Sequence, residues 1–356
     1  RIRGERAENL ERAIEFYLEA LKVRTREDFP ADHAMTLYNL ANVYSDRIRG
    51  ERAENLEKAI EFYRQALKVR TRKDFPVQWA ITLNNLAAVY SDRIRGERAE
   101  NLERAIEAYQ KVLEVYTRED FPVQWATTLN NLANAYSRRI RGERTENLER
   151  AIEFYWRALE VRTREDFPVA HAMTLYNLAI AYKNRIRGER AENLERAIES
   201  YRQALEVYTR EDFPVQWAMT LHNLANAYSD RIRGERAENL ERAIKSYWRA
   251  LEVYTRKDFP IQWATTLHNL ANAYKDRIWG DRAENLEREI EFYWQALEVR
   301  TRKDFPLQWA TTLNNLADAY KDRIRGDRAE NLERAIEFYG RALEVYTART
   351  SPWIMR

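Results

Sequence analysis

The sequence contains four histidines, whose side chains are the best suited here to acid–base or metal chemistry. His222 and His268 lie 46 residues apart and are candidates for a two-histidine site in one groove. His33 and His171 occupy a position that is tryptophan in other copies of a recurring segment, so a packing role is expected there. Those tryptophans are Trp79, Trp125, Trp217, Trp263 and Trp309. No G-x-S-x-G turn, H-E-x-x-H helix or P-loop is present, and no enzyme activity, metal centre or cofactor is predicted.

The composition argues against several other classes of protein. Lys and Arg number 60 against 57 Asp and Glu, so the uncompensated basic surface of a nucleic-acid binder is not expected. There is no cysteine, which excludes disulfides and suits a reducing cytosol. No apolar run approaches the roughly 18 residues of a membrane span. We therefore expect a cytoplasmic protein without membrane contact. Because the sequence begins in the middle of a repeat, we also expect it to be a piece of a longer protein.

The recurring segment RIRGER would stack arginines along one edge of the molecule. In one copy these are Arg93, Arg95 and Arg98, and Asp92, Glu97 and Glu100 alternate with them. Two interpretations follow: an anion-binding edge, or a solvated edge of ion pairs. The alternation of signs favours the second.

The same segment sets a fixed period for the whole chain. RIRG or a close variant begins at Arg1, Arg47, Arg93, Arg139, Arg185, Arg231, Arg277 and Arg323. Successive starts differ by 46 residues, which is typical of a solenoid whose units bury apolar surface only against their neighbours.

Each period predicts two helices, A and B. In the second period, helix A is expected from about Pro76 to Ile94 and helix B from about Asn101 to Tyr116, on the spacing of their apolar residues. Gly96 is expected to be left-handed between them, with Asn101 as the cap of helix B. Phe121 is expected outside helical geometry because a proline follows it.

The fold class predicted is all-α, with fifteen helices in a single array. A half repeat occupies 1–29 and a degenerate tail 352–356. The helix pairs occupy 30–75, 76–121, 122–167, 168–213, 214–259, 260–305 and 306–351, and we number them repeats 1 to 7.

The residues of each pair resemble the tetratricopeptide repeat. On helix A its signature falls on Leu83, Leu86, Ala87 and Tyr90, and on helix B on Ala105 and Tyr109. Its third helix B position is Val112 here, and Ala66, Ala158, Ala204, Ala250, Ala296 and Ala342 in other repeats. The period is longer than the usual 34 residues, which we interpret as a longer helix A and a longer connection. The repeat sequence is similar to those of tetratricopeptide arrays in bacterial, especially cyanobacterial, multidomain signalling proteins. The resemblance implies a right-handed superhelical solenoid of antiparallel helix pairs.

The resemblance also implies that the A helices line a concave groove that binds a peptide or protein segment. The predicted groove residues are Tyr38, Asn39, Asn42, Asn85, Asn131, Asn134, Tyr176, Asn177, His222, Asn223, Asn226, His268, Asn269, Asn272 and Asn315. One asparagine position occurs in all seven repeats, from Asn39 to Asn315. Two roles for it stay open: it holds the backbone of a ligand, or it joins neighbouring A helices.

The function predicted is protein recognition, as the sensor or scaffold part of a larger bacterial protein. The alternative is a structural or self-assembling spacer without a groove ligand. An RNA-reading solenoid is disfavoured because its units would be varied and basic. Weak self-association is expected through uncapped ends, or through a helix B rim that bears Trp156, Trp248 and Trp294, where other repeats have polar residues.

Overall fold

The computed structural model describes residues 2–350, with side chains from residue 5 to residue 347. The predicted tail, 352–356, lies outside the described residues. Within them the chain forms fifteen α-helices and no strand, which confirms the predicted all-α fold class. The A helices are α2 Pro30–Asp46, α4 Pro76–Asp92, α6 Pro122–Arg138, α8 Pro168–Asn184, α10 Pro214–Ser229, α12 Pro260–Lys275 and α14 Pro306–Asp322. The B helices are α1 Ile2–Val23, α3 Arg52–Leu67, α5 Arg98–Leu113, α7 Arg144–Leu159, α9 Arg190–Leu205, α11 Arg236–Leu251, α13 Arg282–Leu297 and α15 Arg328–Thr350.

The chain divides into two compact units. Unit 1 is Arg1–Arg187 and holds α1 to α8, and unit 2 is Gly188–Arg356 and holds α9 to α15. Within each unit every helix packs on the next one along the chain. A helices of consecutive repeats also contact each other, α2 with α4, α4 with α6 and α6 with α8 in unit 1, and α10 with α12 in unit 2. Among the described helices no consecutive B pair packs to the same extent, so within each unit these successive repeats approach each other more closely at their A helices than at their B helices.

Each A helix begins at the proline of its repeat. Pro76 is the first helical residue of α4, where its missing N–H costs no hydrogen bond. Phe75 before it has φ −138° and ψ 61°, outside helical geometry, and Phe121 adopts the same conformation, as predicted. The connection is held by Thr71, whose hydroxyl accepts a hydrogen bond from the backbone N–H of Asp74 at 3.1 Å. This bond recurs in the other connections because each contains the same Thr-x-x-Asp segment.

The turn between helices A and B departs from the prediction at one residue. Gly96 has φ +77°, the expected left-handed conformation, but helix B begins at Arg98 rather than at Asn101. Asn101 is buried inside the helix and does not cap it. Its amide donates back to the carbonyl of Arg95 at 2.9 Å and so closes the turn. The helix also ends earlier than predicted, at Leu113.

The hydrophobic core is continuous within repeats and from one repeat to the next. One buried cluster joins Ala80 of repeat 2 with Trp125 and Leu129 of repeat 3, and Val112 and Ala158 of their B helices complete it. Each repeat therefore buries its apolar surface against its neighbours, as the period predicts.

Candidate functional site

Most differences between the helix A sequences fall on one face. In repeat 1 this variable face is formed by Met35, Tyr38, Asn42 and Ser45, whose spacing of three and four residues places them side by side along the helix. The same positions hold Ile81, Asn84, Ala88 and Ser91 in repeat 2, and Thr265, His268, Asn272 and Lys275 in repeat 6. Leucine, alanine and tyrosine positions on the opposite face are buried and the same in every repeat. The frame is thus constant, while the variable face changes both in residue type and in exposure, from the exposed Met35 to the buried His268.

The invariant asparagine joins A helices beside this face. Asn85 donates from Nδ2 to Asn42 Oδ1 and to the Tyr38 hydroxyl of the preceding repeat, both at 3.1 Å. In unit 2, Asn269 donates to Asn226 at 3.0 Å and Asn315 to Asn272 at 3.3 Å. Of the two roles that the sequence left open for this asparagine, these bonds correspond to the joining of neighbouring A helices. Because their amide hydrogens are used between repeats, these asparagines keep mainly the carbonyl oxygen for a ligand.

These bonds between A helices form a ladder of asparagines, and in repeats 1, 3, 5, 6 and 7 a tyrosine of helix B adds a bond to it. The Tyr63 hydroxyl donates to Asn42 Oδ1 at 2.5 Å, and Tyr155, Tyr247 and Tyr293 donate in the same way to Asn134, Asn226 and Asn272. In repeat 7 the acceptor is Asp318, which receives the Tyr339 hydroxyl at 2.6 Å. The predicted residues Asn39, Asn131, Tyr176, Asn177 and Asn223 lie half-buried at the equivalent ladder and variable-face positions of the other repeats.

The two groove histidines use both ring nitrogens inside the protein. His222 Nδ1 lies 2.9 Å from the Thr266 hydroxyl, and its Nε2 lies 3.5 Å from the amide of Asn269. His268 makes the same pair of contacts with Thr312 and Asn315. Burial, and secondarily the nearby charge of Arg300, lowers the pKa of His268 to about 3, so its ring is neutral. The two rings therefore join neighbouring repeats through both of their nitrogens.

The remaining histidines pack as expected. His33 and His171 lie half-buried, and each Nδ1 is 2.7 Å from a carbonyl of the preceding connection, of Arg24 and Arg162 respectively. Among the described residues no group of three or more His, Cys, Asp or Glu side chains is arranged to hold a metal ion.

From Arg47 onward, the first arginine of each RIRG segment is an inter-repeat clamp that the sequence analysis missed. Arg93 donates from Nε and Nη2 to the two carboxylate oxygens of Glu57, both at 2.8 Å, and from Nη1 to Asn101 at 3.2 Å. The equivalent pairs are Arg47 with Glu11, Arg139 with Glu103, Arg185 with Glu149, Arg231 with Glu195, Arg277 with Glu241 and Arg323 with Glu287. The hydrogen bonds from Arg93 lower the pKa of Glu57. The geometry favours the ion-paired edge over the anion-binding one.

Glu289 on α13 is the residue of this region that least fits a structural role. It replaces an alanine found at the same place in the other repeats, such as Ala59 and Ala243, and it is fully buried. Neither carboxylate oxygen has a hydrogen-bond partner among the described residues. Burial raises its pKa to about 8, although Lys275 and Arg282 act against this. Aligning the repeats of the sequence with one another is enough to show this replacement of alanine by glutamate.

The tryptophans of the helix B rim are half-exposed, as predicted. Trp156, Trp248 and Trp294 are 50%, 44% and 42% exposed. The indole N–H of Trp156 donates to the Tyr182 hydroxyl at 2.9 Å, and Trp294 stacks edge-on against Phe338 with ring centres 5.5 Å apart. Each ring thus has one edge fixed on its own unit and one in solvent.

The fold and these links define a tandem array of helix pairs. The chain belongs to the tetratricopeptide repeat family, whose model matches residues 33–76, 79–122, 125–165, 171–214, 217–259 and 309–346. The unmatched residues 260–308 include repeat 6, which carries Glu289. Membership of the family indicates a protein–protein interaction module. No helix in the described part of the chain has the length and apolar character needed to span a bilayer.

Solved structures share the fold at low sequence identity. BtubC of P. vanneervenii is 20% identical with a TM-score of 0.52, and the match covers 72% of this chain and 94% of that one. The apo form of RapI is 15% identical with a TM-score of 0.55, covering 89% and 98%. The C-terminal part of a repeat protein from Cytophaga hutchinsonii is 12% identical with a TM-score of 0.50, covering 88% and 98%. No curated protein sequence matches the chain.

Proposed function

We propose that the variable face of the A helices binds a peptide or protein segment, and that the chain is the recognition part of a larger cytoplasmic bacterial protein, as sensor or scaffold. The observation that carries this proposal is the contrast between constant frame and variable face. Repeats that differ little elsewhere carry the half-buried Tyr38, Asn84 and His222 at one position of this face, and Asn42, Ala88 and Ile180 at another. A spacer without a ligand needs no such variety on one face.

The ladder asparagines support a ligand that lies along this face. Their carbonyl oxygens recur at each repeat and are suited to accept hydrogen bonds from a ligand backbone, while the variable side chains select its side chains. This mode needs no enzyme chemistry and no cofactor, and it uses a rigid, prearranged surface, which lowers the entropy cost of binding.

Selection of random displayed peptides on the immobilised chain tests the proposal. Peptides that bind the wild type should lose affinity for the double variant Tyr176→Ala with Ile180→Ala, because both side chains lie on the variable face. The matched control is Trp156→Ala, on the helix B rim of the same unit, which should bind unchanged. Loss of binding only in the Trp156 variant would place the ligand on the rim instead. Failure to enrich any peptide would favour the spacer.

A further inference from the structure

Three charged side chains converge on one site between repeats 6 and 7. Where repeats 1 and 2 have Ser45, Ala59 and Ala88, repeats 6 and 7 have Lys275, Glu289 and Asp318. Each change introduces a charge. They lie on three different helices, α12, α13 and α14, that pack consecutively in unit 2.

Two of the equivalent positions in repeats 1 and 2, Ser45 and Ala88, line a cavity of about 320 Å³ between α2, α3 and α4, and Ala59 lies on α3 between the lining residues Leu56 and Tyr63. Its walls include Asn42 and Ala88 of the variable face, and Leu56 and Tyr63 lie on its α3 side. Their counterparts on α13 are Leu286 and Tyr293. The inter-repeat space at this level therefore borders the surface where a ligand would lie.

Glu289 is placed on the α13 side of this site. It lies three residues after Leu286 and four before Tyr293, so the three side chains share one face of the helix. The charges that act on its carboxyl come from the counterparts of that lining: Lys275 at the end of α12 and Asp276 directly after it, Arg282 on its own helix, and Asp322 on α14. Tyr293 lies on the same face of α13 as Glu289, and Asp318 lies on the neighbouring helix α14.

The basic residues of the site have partners other than Glu289, and Arg282 donates to the backbone carbonyl of Lys275. Lys275 Nζ lies 3.8 Å from Asp318 Oδ2, and Lys321 Nζ lies 3.3 Å from Asp318 Oδ1. Glu289 is thus a buried acid whose own site holds no hydrogen-bond donor for it among the described residues. Because an unpaired buried charge is costly, burial favours the protonated form of this carboxyl, whereas pairing with a further cation would favour the carboxylate.

We propose that the site between repeats 6 and 7 takes up a cationic side chain, lysine or arginine, of the segment bound along the variable face. This rests on the proposed function and specifies one feature of its ligand. On binding, the ammonium or guanidinium group enters beside Glu289, the carboxylic acid loses its proton to solvent, and the resulting carboxylate pairs with the cation. One proton is released for each cation bound, and no covalent bond to the ligand forms.

The test uses peptides selected from a random displayed library on the full chain. Wild-type binders should share a lysine or arginine at one position. Glu289→Ala should weaken such a peptide about tenfold to a hundredfold, the range expected for a hydrogen bond to a charged group, and should not weaken its norleucine version. Alanine is the residue of the other repeats here, so this variant should fold. The control Glu291→Ala removes an exposed acid of the same helix and should change neither affinity.

Proton release gives a second readout. Calorimetry of the lysine peptide at pH 7 in two buffers of different ionisation enthalpy should show release in the wild type and none in Glu289→Ala. Peptides that bind without a basic preference, or whose preference survives Glu289→Ala, would overturn this inference alone. A library that enriches nothing would overturn the proposed function together with it.

Discussion

Arg93 and Glu57 belong to successive repeats and meet through two parallel hydrogen bonds of 2.8 Å. The pair is partly buried, and the same guanidinium also holds Asn101, whose amide closes the Gly96 turn. One side chain therefore fixes both the contact between repeats and the entry into helix B.

Replacing this arginine by lysine should weaken the array. Arg93→Lys keeps the charge but cannot form two parallel bonds and reach Asn101, so a loss of about 1–2 kcal/mol in unfolding free energy is expected. Arg95→Lys is the control, because Arg95 makes only an exposed contact of 3.7 Å with Glu54 and should cost less than about 0.5 kcal/mol. Denaturant titration of both variants measures this. Equal losses would show that the bidentate geometry is unimportant.

The asparagine ladder provides a matched pair of substitutions. Asn269→Ala breaks the bond to Asn226, so a loss of about 1–2 kcal/mol is expected. Asn131 faces Ala88 instead of an asparagine, and Asn131→Ala should change stability by no more than a few tenths of a kcal/mol. Thermal melts of the two variants decide the matter. If Asn131→Ala destabilises as much as Asn269→Ala, the ladder does not carry the effect.

Glu289 should make the protein less stable as pH rises. Below about pH 4.5 both folded and unfolded carboxyls are protonated, and between 4.5 and about 8 only the unfolded state loses its proton. Stability contributed by this group therefore falls across that window and stays low above it. Glu289→Ala should remove this slope and stabilise the chain at pH 8 by roughly 3–5 kcal/mol. Melting temperatures measured from pH 5 to pH 9 test it, and parallel curves for variant and wild type would contradict it.

His268 should act in the opposite direction. Its pKa is about 3 in the folded chain and about 6.5 when exposed, so stability is complete above pH 6.5 and is lost as pH falls. Asparagine occupies this position in repeats 2, 3 and 7. His268→Asn should therefore flatten the decline in melting temperature between pH 6.5 and 4.5. An unchanged decline in the His268 variant would show that the ring protonates without cost.

The last helix should mediate weak self-association. Ile336 on α15 is 70% exposed, whereas Ile244, its counterpart on α11, is 6% exposed under α12. Sedimentation velocity over a range of concentrations should show reversible association, which Ile336→Glu abolishes. Ile324→Glu, at an exposed turn position, is the control and should associate like the wild type. A strictly monomeric profile at high concentration would refute this expectation.

The fold was predictable because its contacts follow the period. Apolar residues at three- and four-residue steps and a proline every 46 residues are enough to place helix A, since each helix packs on its neighbours in sequence. The start of helix B was predicted three residues too far along the chain, because asparagine is a common helix N-cap residue. In the structure the Asn101 side chain instead donates a hydrogen bond to the backbone carbonyl of Arg95.

The candidate site was predictable only in part. Asn85 and Tyr38 were identified by position, but their bond to each other depends on the spacing of adjacent A helices, which sequence alone does not provide. The Arg93 to Glu57 clamp joins residues 36 apart on different helices, and many charges of both signs were available as partners. Glu289 is different, because its contrast with seven alanines is visible in the sequence itself.

The clamps have a consequence for how such a gene can change. Every clamp spans the same 36 residues and joins only adjacent repeats. Unequal recombination that gains or loses 46 codons therefore leaves each remaining arginine with a glutamate at the correct distance. Array length can drift between generations without a compensating mutation, and each new copy is free to acquire its own ligand-facing residues.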